Sequence, residues 1–300
     1  MIRVLDYIFA ARPMLHLPVW SVYLVSLHVS NEEFSWPDLV LLLSLSSLVA
    51  GAYYVNQVYD QESDRLNRKL GFLQRGYTST RGFMLGFILL SLFGLGLGVL
   101  VAPFKLVILL QHVILAWVYS GPPFRLKDRP WLGLLVNAWA YGFLIPLVAT
   151  GWQEGSVFAA ANWTLPLYFF AAVAATHVMT TLPDAEGDRA VGKRTLAVIL
   201  PPGFCKLIAM ALLVIAVAVA LHAELAALTY LAIFSIIVAF ISLLMPLPRM
   251  ELAAAKVPLL LLTLLAGFWY PVYLLFIVAL ILATRIYYLE RFQMIYPGLA

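Results

Sequence analysis

GFMLGFILLSLFGLGLGVLVA, residues 82–102, contains no charged side chain. A run of about 20 apolar residues is the length that an α-helix needs to cross the hydrocarbon core of a bilayer. The whole chain has the same character, because hydrophobic residues make up 63% of its 300 residues and charged residues only 11%. A soluble domain is about 25% charged. The composition therefore excludes a soluble enzyme, a disordered protein and a secreted module.

Apolar segments of similar length follow one another along the chain. Those predicted to span a membrane are 13–30, 37–57, 82–102, 104–119, 131–151, 164–183, 204–222 and 224–245. A last apolar stretch, 252–289, is too long for one upright helix and has Pro271 in its middle, so it is one kinked helix or a tight hairpin. Transmembrane β-strands would be about ten residues long and alternating. The predicted fold class is all-α, a polytopic transmembrane helix bundle with nine or ten spans.

Basic residues concentrate in alternate loops, which predicts the orientation. Lys and Arg side chains lie before the first span and in segments 60–82, 120–130, 184–206 and 246–256. Because cytoplasmic loops carry an excess of Lys and Arg, we expect an integral protein of the cell (inner) membrane with a cytoplasmic N-terminus. The opposite loops hold Lys105 and the acidic residues Glu32, Glu33, Asp38, Glu154 and Glu224. Arg285 and Arg291 reach the cytoplasm only if 252–289 is a hairpin, which favours ten spans.

Charge distribution and cysteine content exclude further classes of protein. The net charge of +4 is spread over short loops and forms no single basic stripe, so no nucleic-acid partner is predicted. The single cysteine, Cys205, excludes a disulfide framework and a cysteine-based metal site.

Two acidic windows, residues 60–69 and 184–193, share one pattern. Aligned on their first aspartate, both read D-x-E-x-D-R-x-x-x-K. Each window follows an even-numbered predicted span, so both are expected on the cytoplasmic side. The repeat predicts a single membrane domain over 1–300 with an internal pseudo-repeat. Its half-bundles would be about 13–119 and 131–245, followed by the extra helix or hairpin 252–289.

The spacing within each window predicts a metal site. Residues four apart share one face of a helix, so Asn56, Asp60 and Asp64 would form one stripe of oxygen ligands, and Asp184 and Asp188 a second. Hard cations such as Mg²⁺ are held by one or two carboxylates together with phosphate oxygens. Basic residues of the windows, Arg65, Lys69, Arg189 and Lys193, would attract a diphosphate. Charge runs at span ends can also serve only as topology signals, and this alternative stays open for either window alone.

The two windows and a third motif resemble a known family. N-x-x-x-D-x-x-x-D after the second span and D-x-x-x-D after the sixth are similar to motifs of the UbiA superfamily of intramembrane prenyltransferases. The loop YSGPPFRLK, residues 119–127, resembles a segment of its chlorophyll synthase-like branch. The resemblance covers roughly residues 10–245. It implies a helical bundle with a central cavity, and Mg²⁺-dependent transfer of a prenyl chain from an isoprenyl diphosphate donor to a lipophilic acceptor within the lipid of the membrane.

Spacing and resemblance together assign roles to individual residues. The expected metal ligands are Asn56, Asp60, Asp64, Asp184 and Asp188. The expected catalytic residues are the same four aspartates and Tyr119, whose aromatic face would attract a carbocation. The residues expected to bind the diphosphate are Lys69, Arg125, Lys127, Arg189 and Lys193. No obligatory protein partner is inferred.

Polar residues within the spans are further candidates, because polar groups in a membrane are usually functional. Asn137, Gln111, His112 and His177 could contact an acceptor, and each could equally form a hydrogen bond between helices. Glycines 94, 96 and 98 of the third span indicate close approach of a neighbouring helix.

The acceptor is the least determined feature. Many relatives have Asn-Asp where this chain has Asn56-Gln57, and a basic-Pro-x-x-Pro-x-Gly stretch where this chain has residues 69–73. The pattern is similar to that of carotenoid-elongating members. We therefore expect a hydrophobic isoprenoid or tetrapyrrole-like acceptor in preference to 4-hydroxybenzoate.

Two other classes of membrane protein remain as alternatives. A transporter would place its charged site near the bilayer midplane, whereas these windows lie at the ends of spans. A CDP-alcohol phosphotransferase would carry a continuous D-G-x-x-A-R stretch, which is missing from the sequence.

Overall fold

A computed structural model describes residues 2–67, 69, 71–150 and 163–297. All regular secondary structure in these residues is helical. Glu154, which the sequence predicts to lie in a loop opposite the windows, is outside the described residues.

Ten helices in the described part of the chain are long and apolar enough to cross a membrane. We number them as spans 1 to 10: Arg3–Val29, Trp36–Tyr59, Thr80–Val101, Pro103–Ser120, Pro130–Ala149, Thr164–Ala190, Pro202–His222, Ala226–Leu244, Pro248–Trp269 and Pro271–Phe292. The outer surface of this bundle carries large apolar side chains, among them Leu100, Phe268 and Val272. Such a surface requires lipid as its solvent, and the chain is an integral membrane protein.

Of the two sequence alternatives for the last apolar stretch, the structure has the hairpin, so the described residues contain ten candidate spans. Span 9 ends at Trp269 and span 10 begins at Pro271. Tyr270 between them has φ −125° and ψ 81°, outside the helical region. Proline disfavours the helical conformation in the residue before it and is well suited to the first turn of the next helix. Pro271 therefore ends one span and starts the other.

Three spans are interrupted, and the interruptions position the site. Span 1 consists of helices Ile2–Ala10 and Leu17–Val29, joined through the 3₁₀ turn Pro13–His16. Span 5 consists of Pro130–Asn137, the π-helical segment Ala138–Phe143 and Leu144–Ala149. Span 6 consists of Thr164–Thr181, the 3₁₀ turn Leu182–Asp184 and Ala185–Ala190. A further short helix, Gln61–Leu66, follows span 2.

Close helix packing in the third span agrees with the glycine pattern in part. A Cβ atom at Gly94 would lie 2.9 Å from the Ser44 carbonyl oxygen, and the Ser44 hydroxyl donates a hydrogen bond of 2.6 Å to the Gly94 carbonyl. A Cβ atom at Gly96 would meet nothing within 4 Å. Gly94 therefore allows spans 2 and 3 to approach, whereas Gly96 faces outward.

The two acidic windows occupy equivalent places in the bundle. Helix Gln61–Leu66 of the first and helix Ala185–Ala190 of the second pack against each other, one after span 2 and the other at the end of span 6. A Cβ atom at Gly187 would lie 2.1 Å from the Asn67 Oδ1 atom, so glycine permits this approach. The boundaries of the two half-bundles stay a prediction.

Candidate functional site

Each window folds into a short helix that returns its lysine to the second aspartate of the window. In the first, span 2 ends at Tyr59, and the Asp60 N–H donates to the Asn56 carbonyl at 2.9 Å. The Lys69 N–H donates to the Asp64 carbonyl at 2.8 Å. In the second window the Lys193 N–H donates to the Asp188 carbonyl at 3.0 Å. The shared pattern of the two windows therefore corresponds to a shared local structure.

One cavity of about 340 Å³ brings most of the predicted site residues together. Its lining includes Asn56, Asp60, Asp64, Lys69, Tyr119, Lys127, Asp184, Asp188 and Lys193. Further lining comes from apolar residues of spans 2 and 4, including Leu48, Val49, Ala52, Leu115 and Ala116. The cavity thus combines a charged mouth, formed by the windows, with an apolar interior.

The two lysines of the windows exchange partners across the mouth. Lys193 Nζ lies 2.7 Å from Asp60 Oδ1 and 3.4 Å from Asp188 Oδ1. Lys69 Nζ lies 2.6 Å from Asp184 Oδ2 and 3.9 Å from Asp64 Oδ1. Each lysine therefore connects the second aspartate of its own window to the first aspartate of the other.

Two more cations complete the charge balance. Lys127 Nζ lies 2.8 Å from Asp60 Oδ2, with a side chain only 5% exposed. Arg12 Nη2, from the break in span 1, lies 3.6 Å from Asp64 Oδ2. Every carboxylate of the mouth is thereby within reach of at least one cation, which compensates for its removal from water.

The electrostatics differ between the two aspartates of the first window. Burial raises the pKa of Asp60, but the ammonium groups of Lys127 and Lys193 outweigh burial and lower the pKa to about 2. At Asp64, burial raises the pKa by more than Arg12 and Lys69 lower it. Asp60 is therefore firmly ionised at neutral pH, whereas the surroundings of Asp64 stabilise its negative charge less.

Two predicted diphosphate residues are not brought into this cavity. Arg125 Nε donates to Asp128 Oδ2 at 2.8 Å, beside a surface groove on the outer side of Ser63 and Lys193. Arg189 Nη2 donates to the Val198 carbonyl at 3.1 Å. Arg189 directly follows Asp188 on a helix, so the two side chains leave the axis about 100° apart.

Other residues of the shared pattern lie on the outer faces of the two windows. Arg65, expected beside the diphosphate, instead pairs with Glu62 at 2.6 Å on the exposed side of its helix. Glu186 is likewise exposed. Both glutamates lie off the ligand stripe, as the helical spacing indicates.

Sequence reasoning missed Arg12, Ser63 and Tyr141. Arg12 looked like a topology signal, and only the break at Pro13–His16 turns it toward Asp64. The Ser63 hydroxyl accepts a 2.8 Å hydrogen bond from Lys193 Nζ. Tyr141 lies within an apolar span, and no local pattern distinguishes it from a packing residue.

The donor set fits Mg²⁺ in its chemistry. Carboxylate and amide oxygens are the ligands of hard cations, and they line one mouth. In the described residues, no three His, Cys, Asp or Glu side chains are close enough to form a metal centre. The ammonium groups of Lys69 and Lys193 stand between the carboxylates instead, so metal binding requires these lysines to move.

A second cavity of about 240 Å³ adjoins the first. The two cavities share the residues that we call the polar collar: Tyr53, Asn137, Tyr141, His177 and Thr180. Its other lining is mostly apolar and comes from spans 1, 5, 6, 7, 8 and 9. The collar therefore separates the charged mouth from a largely apolar chamber.

Two of the intramembrane polar candidates lie elsewhere or are already bonded. His112 Nε2 lies 3.1 Å from the Ala140 carbonyl of span 5, which is the helix–helix hydrogen bond foreseen as the alternative, and its Nδ1 lies 3.1 Å from the Ile108 carbonyl of its own span. Gln111 accepts from Trp139 Nε1 at 3.2 Å and lines neither cavity.

Residues 19–252 match the sequence model of the UbiA prenyltransferase family. The chain is 30% identical over 173 residues to the probable homogentisate phytyltransferase 2, chloroplastic, of Oryza sativa subsp. japonica, covering 54% of this chain and 45% of that protein. It is 29% identical over 180 residues to the lycopene elongase/hydratase of Halobacterium salinarum, covering 57% of this chain and 60% of that protein. The match therefore spans less than two thirds of either relative.

A solved structure shares the fold. The UbiA homologue of Archaeoglobus fulgidus, bound to GPP and Mg²⁺, has a TM-score of 0.67 and 21% identity to this chain, covering 88% of this chain and 98% of that one.

Proposed function

The chain belongs to the UbiA prenyltransferase family, and we propose that it transfers a prenyl chain from an isoprenyl diphosphate to a lipophilic acceptor in an Mg²⁺-dependent reaction within the membrane. The observation that carries the proposal is the exchange of lysines between two carboxylate pairs at the mouth of a partly apolar cavity. A diphosphate needs both charges there, because carboxylates alone would repel it.

The reaction breaks the bond between the allylic carbon and the diphosphate oxygen, and negative charge develops on the leaving group. Electrostatic stabilisation of such charge is usually the largest catalytic contribution. Bound Mg²⁺ would supply Lewis-acid stabilisation of the diphosphate, with Asn56, Asp60, Asp64, Asp184 and Asp188 as its ligands.

The basic residues of the mouth have a second role in this proposal. With their aspartates bound to a metal, Lys69 and Lys193 would be free to bind phosphate oxygens. Lys127 Nζ already lies 2.8 Å from Asp60 Oδ2, and it would bind the same anion beside that aspartate. Arg125 and Arg189 would have to leave Asp128 and Val198 to take part.

The walls of the cavity would protect the allylic cation. Tyr119 lines the cavity on the charged side, and the Tyr53 ring faces the Arg12 guanidinium at 5.9 Å. Aromatic faces stabilise nearby cations, and the apolar interior keeps water from the reactive carbon. The nucleophilic atom of the acceptor would form the new bond to that carbon and release a proton.

The basic loops also support an orientation. We place the mouth and the N-terminus on the cytoplasmic side of the cell (inner) membrane, where a water-soluble diphosphate head can enter while its prenyl tail remains in lipid.

A reconstituted system would test the proposed function. The purified chain in nanodiscs is given radiolabelled geranylgeranyl diphosphate and a lipid extract of its host, with Mg²⁺ or with EDTA. We expect Mg²⁺-dependent binding of the donor and an Mg²⁺-dependent labelled lipid product. Donor binding that is indifferent to EDTA, or to replacement of Asp64 and Asp188 by Asn, would overturn the proposal. Glu62→Gln, on the outer face of the same helix, is the matched control.

A further inference from the structure

A fully buried carboxylate lies outside the mouth of the first cavity. Asp6, in helix Ile2–Ala10, is 0% exposed. It accepts hydrogen bonds from Arg291 Nε at 2.9 Å, from Arg291 Nη2 at 3.0 Å and from the Tyr287 hydroxyl at 2.6 Å. A guanidinium that contacts a carboxylate through two nitrogens fixes orientation as well as distance. The Asp6–Arg291 pair therefore holds helix Ile2–Ala10 against the end of span 10.

This pair has no part in the reaction as proposed above. Asp6 and Arg291 line neither of the two cavities, and both lie outside residues 19–252, which match the family model. A buried ion pair adds little net stability, because removal of the two charges from water offsets their attraction. In some proteins such pairs instead select one arrangement of the elements that they join. The question is then which arrangement the Asp6–Arg291 pair selects.

Helix Ile2–Ala10 leads directly to Arg12, and the backbone between them is held in place. The Ala10 carbonyl accepts a 2.7 Å hydrogen bond from Nε2 of the buried Gln57 in span 2, and His16 Nε2 lies 3.0 Å from the Ala11 carbonyl. Arg12 itself has φ 56° and ψ 58°, a left-handed conformation that is unfavourable for a residue with a Cβ atom. Such a conformation persists only where the surrounding structure imposes it.

This backbone places the Arg12 side chain at the mouth. The side chain lines the first cavity, and its guanidinium lies 5.9 Å from the centre of the Tyr53 ring. Arg12 Nη2 lies 3.6 Å from Asp64 Oδ2, which is too long for a direct hydrogen bond. The backbone, more than the contact with Asp64, therefore sets the position of Arg12.

We propose that Asp6, Arg291 and Gln57 are positioning residues, which hold the positive charge of Arg12 beside Asp64 and so strengthen binding of the donor diphosphate. Span 10 thereby contributes to the site, although none of its described residues lines the first cavity. The inference rests on the proposed function and adds to it three residues that act through Arg12.

Two effects oppose this position of Arg12 and explain why it needs support. Val4 and Ile8, four residues apart on the outward face of helix Ile2–Ala10, are 63% and 51% exposed. An apolar outer face favours movement of the helix into the surrounding lipid. A return of Arg12 to an ordinary backbone conformation would also remove its strain. Without the Asp6–Arg291 pair, both effects would draw the guanidinium away from the mouth.

Donor binding in nanodiscs tests the proposal. The probe is radiolabelled geranyl diphosphate with Mg²⁺, measured at equilibrium. Asp6→Asn, which keeps the shape of the side chain, and Arg12→Ala should each weaken binding by about tenfold. The double variant should bind no more weakly than Arg12→Ala, because Asp6 acts through Arg12. Unchanged binding in Asp6→Asn, or losses that add in the double variant, would overturn the proposal.

Two further comparisons separate positioning from general stability. The Lys206–Glu251 pair, at 2.8 Å, joins spans 7 and 9 and has side chains 2% and 24% exposed, against 0% for Asp6 and 26% for Arg291. Glu251→Gln should lower the unfolding midpoint as Asp6→Asn does and leave donor binding unchanged. Arg291→Lys, which keeps the charge, should bind the donor more tightly than Arg291→Gln. Equal losses of binding in Glu251→Gln and Asp6→Asn would contradict a positioning role.

Hydrogen exchange of backbone amides follows residues 3–16 without any donor. Exchange there should be about tenfold faster in Asp6→Asn than in the unaltered chain and unchanged in Glu251→Gln. Equal exchange in Asp6→Asn and the unaltered chain would overturn the proposal while the proposed function stands. If the unaltered chain does not bind geranyl diphosphate with Mg²⁺, the proposed function fails, and faster exchange in Asp6→Asn would then show a purely structural ion pair.

Discussion

The ammonium group of Lys193 lies 2.7 Å from the carboxylate of Asp60, the first aspartate of the other acidic window. Lys69 makes the reciprocal contact with Asp184 at 2.6 Å. In the folded chain, the lysine of each window thus pairs with the first aspartate of the other window, and each window neutralises charge of the other. A cluster connected in this way should respond to mutation as one unit.

Loss of one aspartate from either window should remove nearly all activity. Asp64→Ala and Asp188→Ala should each lower turnover by on the order of a thousandfold, or several kcal/mol, because each removes stabilisation of the leaving group. The double variant should be little worse, since groups that act together are not additive. Glu62→Ala and Glu186→Ala, on exposed outer faces, are the controls. Near-normal turnover of Asp64→Ala and Asp188→Ala in an Mg²⁺ titration would reduce the windows to topology signals.

Removal of Lys193 should destabilise the metal-free protein more than removal of Lys69. The Lys193 side chain is 11% exposed and contacts two carboxylates, whereas that of Lys69 is 39% exposed. We expect Lys193→Ala to lower the free energy of unfolding by about 2 kcal/mol, since it leaves partly buried carboxylates unpaired. Lys69→Ala should lower it by less than about 1 kcal/mol, because solvent screens the exposed Lys69.

Mg²⁺ should then recover part of the lost stability, because a metal ion can occupy the place of the missing ammonium group. Thermal unfolding in detergent, with and without Mg²⁺, measures both effects. Arg65→Ala breaks only the exposed pair with Glu62 and serves as the control. Equal unfolding midpoints for Lys193→Ala and Arg65→Ala would contradict the proposed role of the exchange.

Orientation can be measured with cysteines at exposed positions of the windows. Ser63 and Gly187 are buried, so Glu62→Cys and Glu186→Cys are the suitable sites, in a Cys205→Ala background. Both should resist an impermeant thiol reagent in sealed spheroplasts and react after lysis. Glu33→Cys, on the opposite side, should react in sealed spheroplasts. Labelling of Glu62→Cys before lysis would refute a cytoplasmic mouth.

The π-helical segment should tolerate no side chain at Gly142. A Cβ atom there would lie 2.4 Å from the Phe169 carbonyl oxygen, and this backbone cannot move without shifting span 6. Gly142→Ala should lower the free energy of unfolding by about 1–3 kcal/mol through overpacking. Gly96→Ala, with nothing within 4 Å, should instead stabilise its helix by roughly 0.5–1 kcal/mol. Thermal unfolding of the two variants compares them, and a Gly142→Ala protein as stable as Gly96→Ala would contradict the packing described.

The sequence by itself determined an all-helical membrane architecture of nine or ten spans and the two acidic windows, because hydropathy and i, i+4 spacing are local properties of the chain. It narrowed the last stretch to two alternatives, and the basic residues Arg285 and Arg291 favoured the hairpin that Pro271 forms. The helical spacing also separated Asp60 and Asp64 from the outward Glu62.

Only the tertiary structure decided which charges meet. Arg12 reaches Asp64 because span 1 breaks at Pro13–His16, whereas Arg125 pairs with Asp128 outside the cavity. The polar collar likewise depends on a π-turn in span 5 and on span 6 packing beside it. These contacts join residues far apart in the chain, so they depend on the rotation and depth of whole helices, which no local spacing encodes.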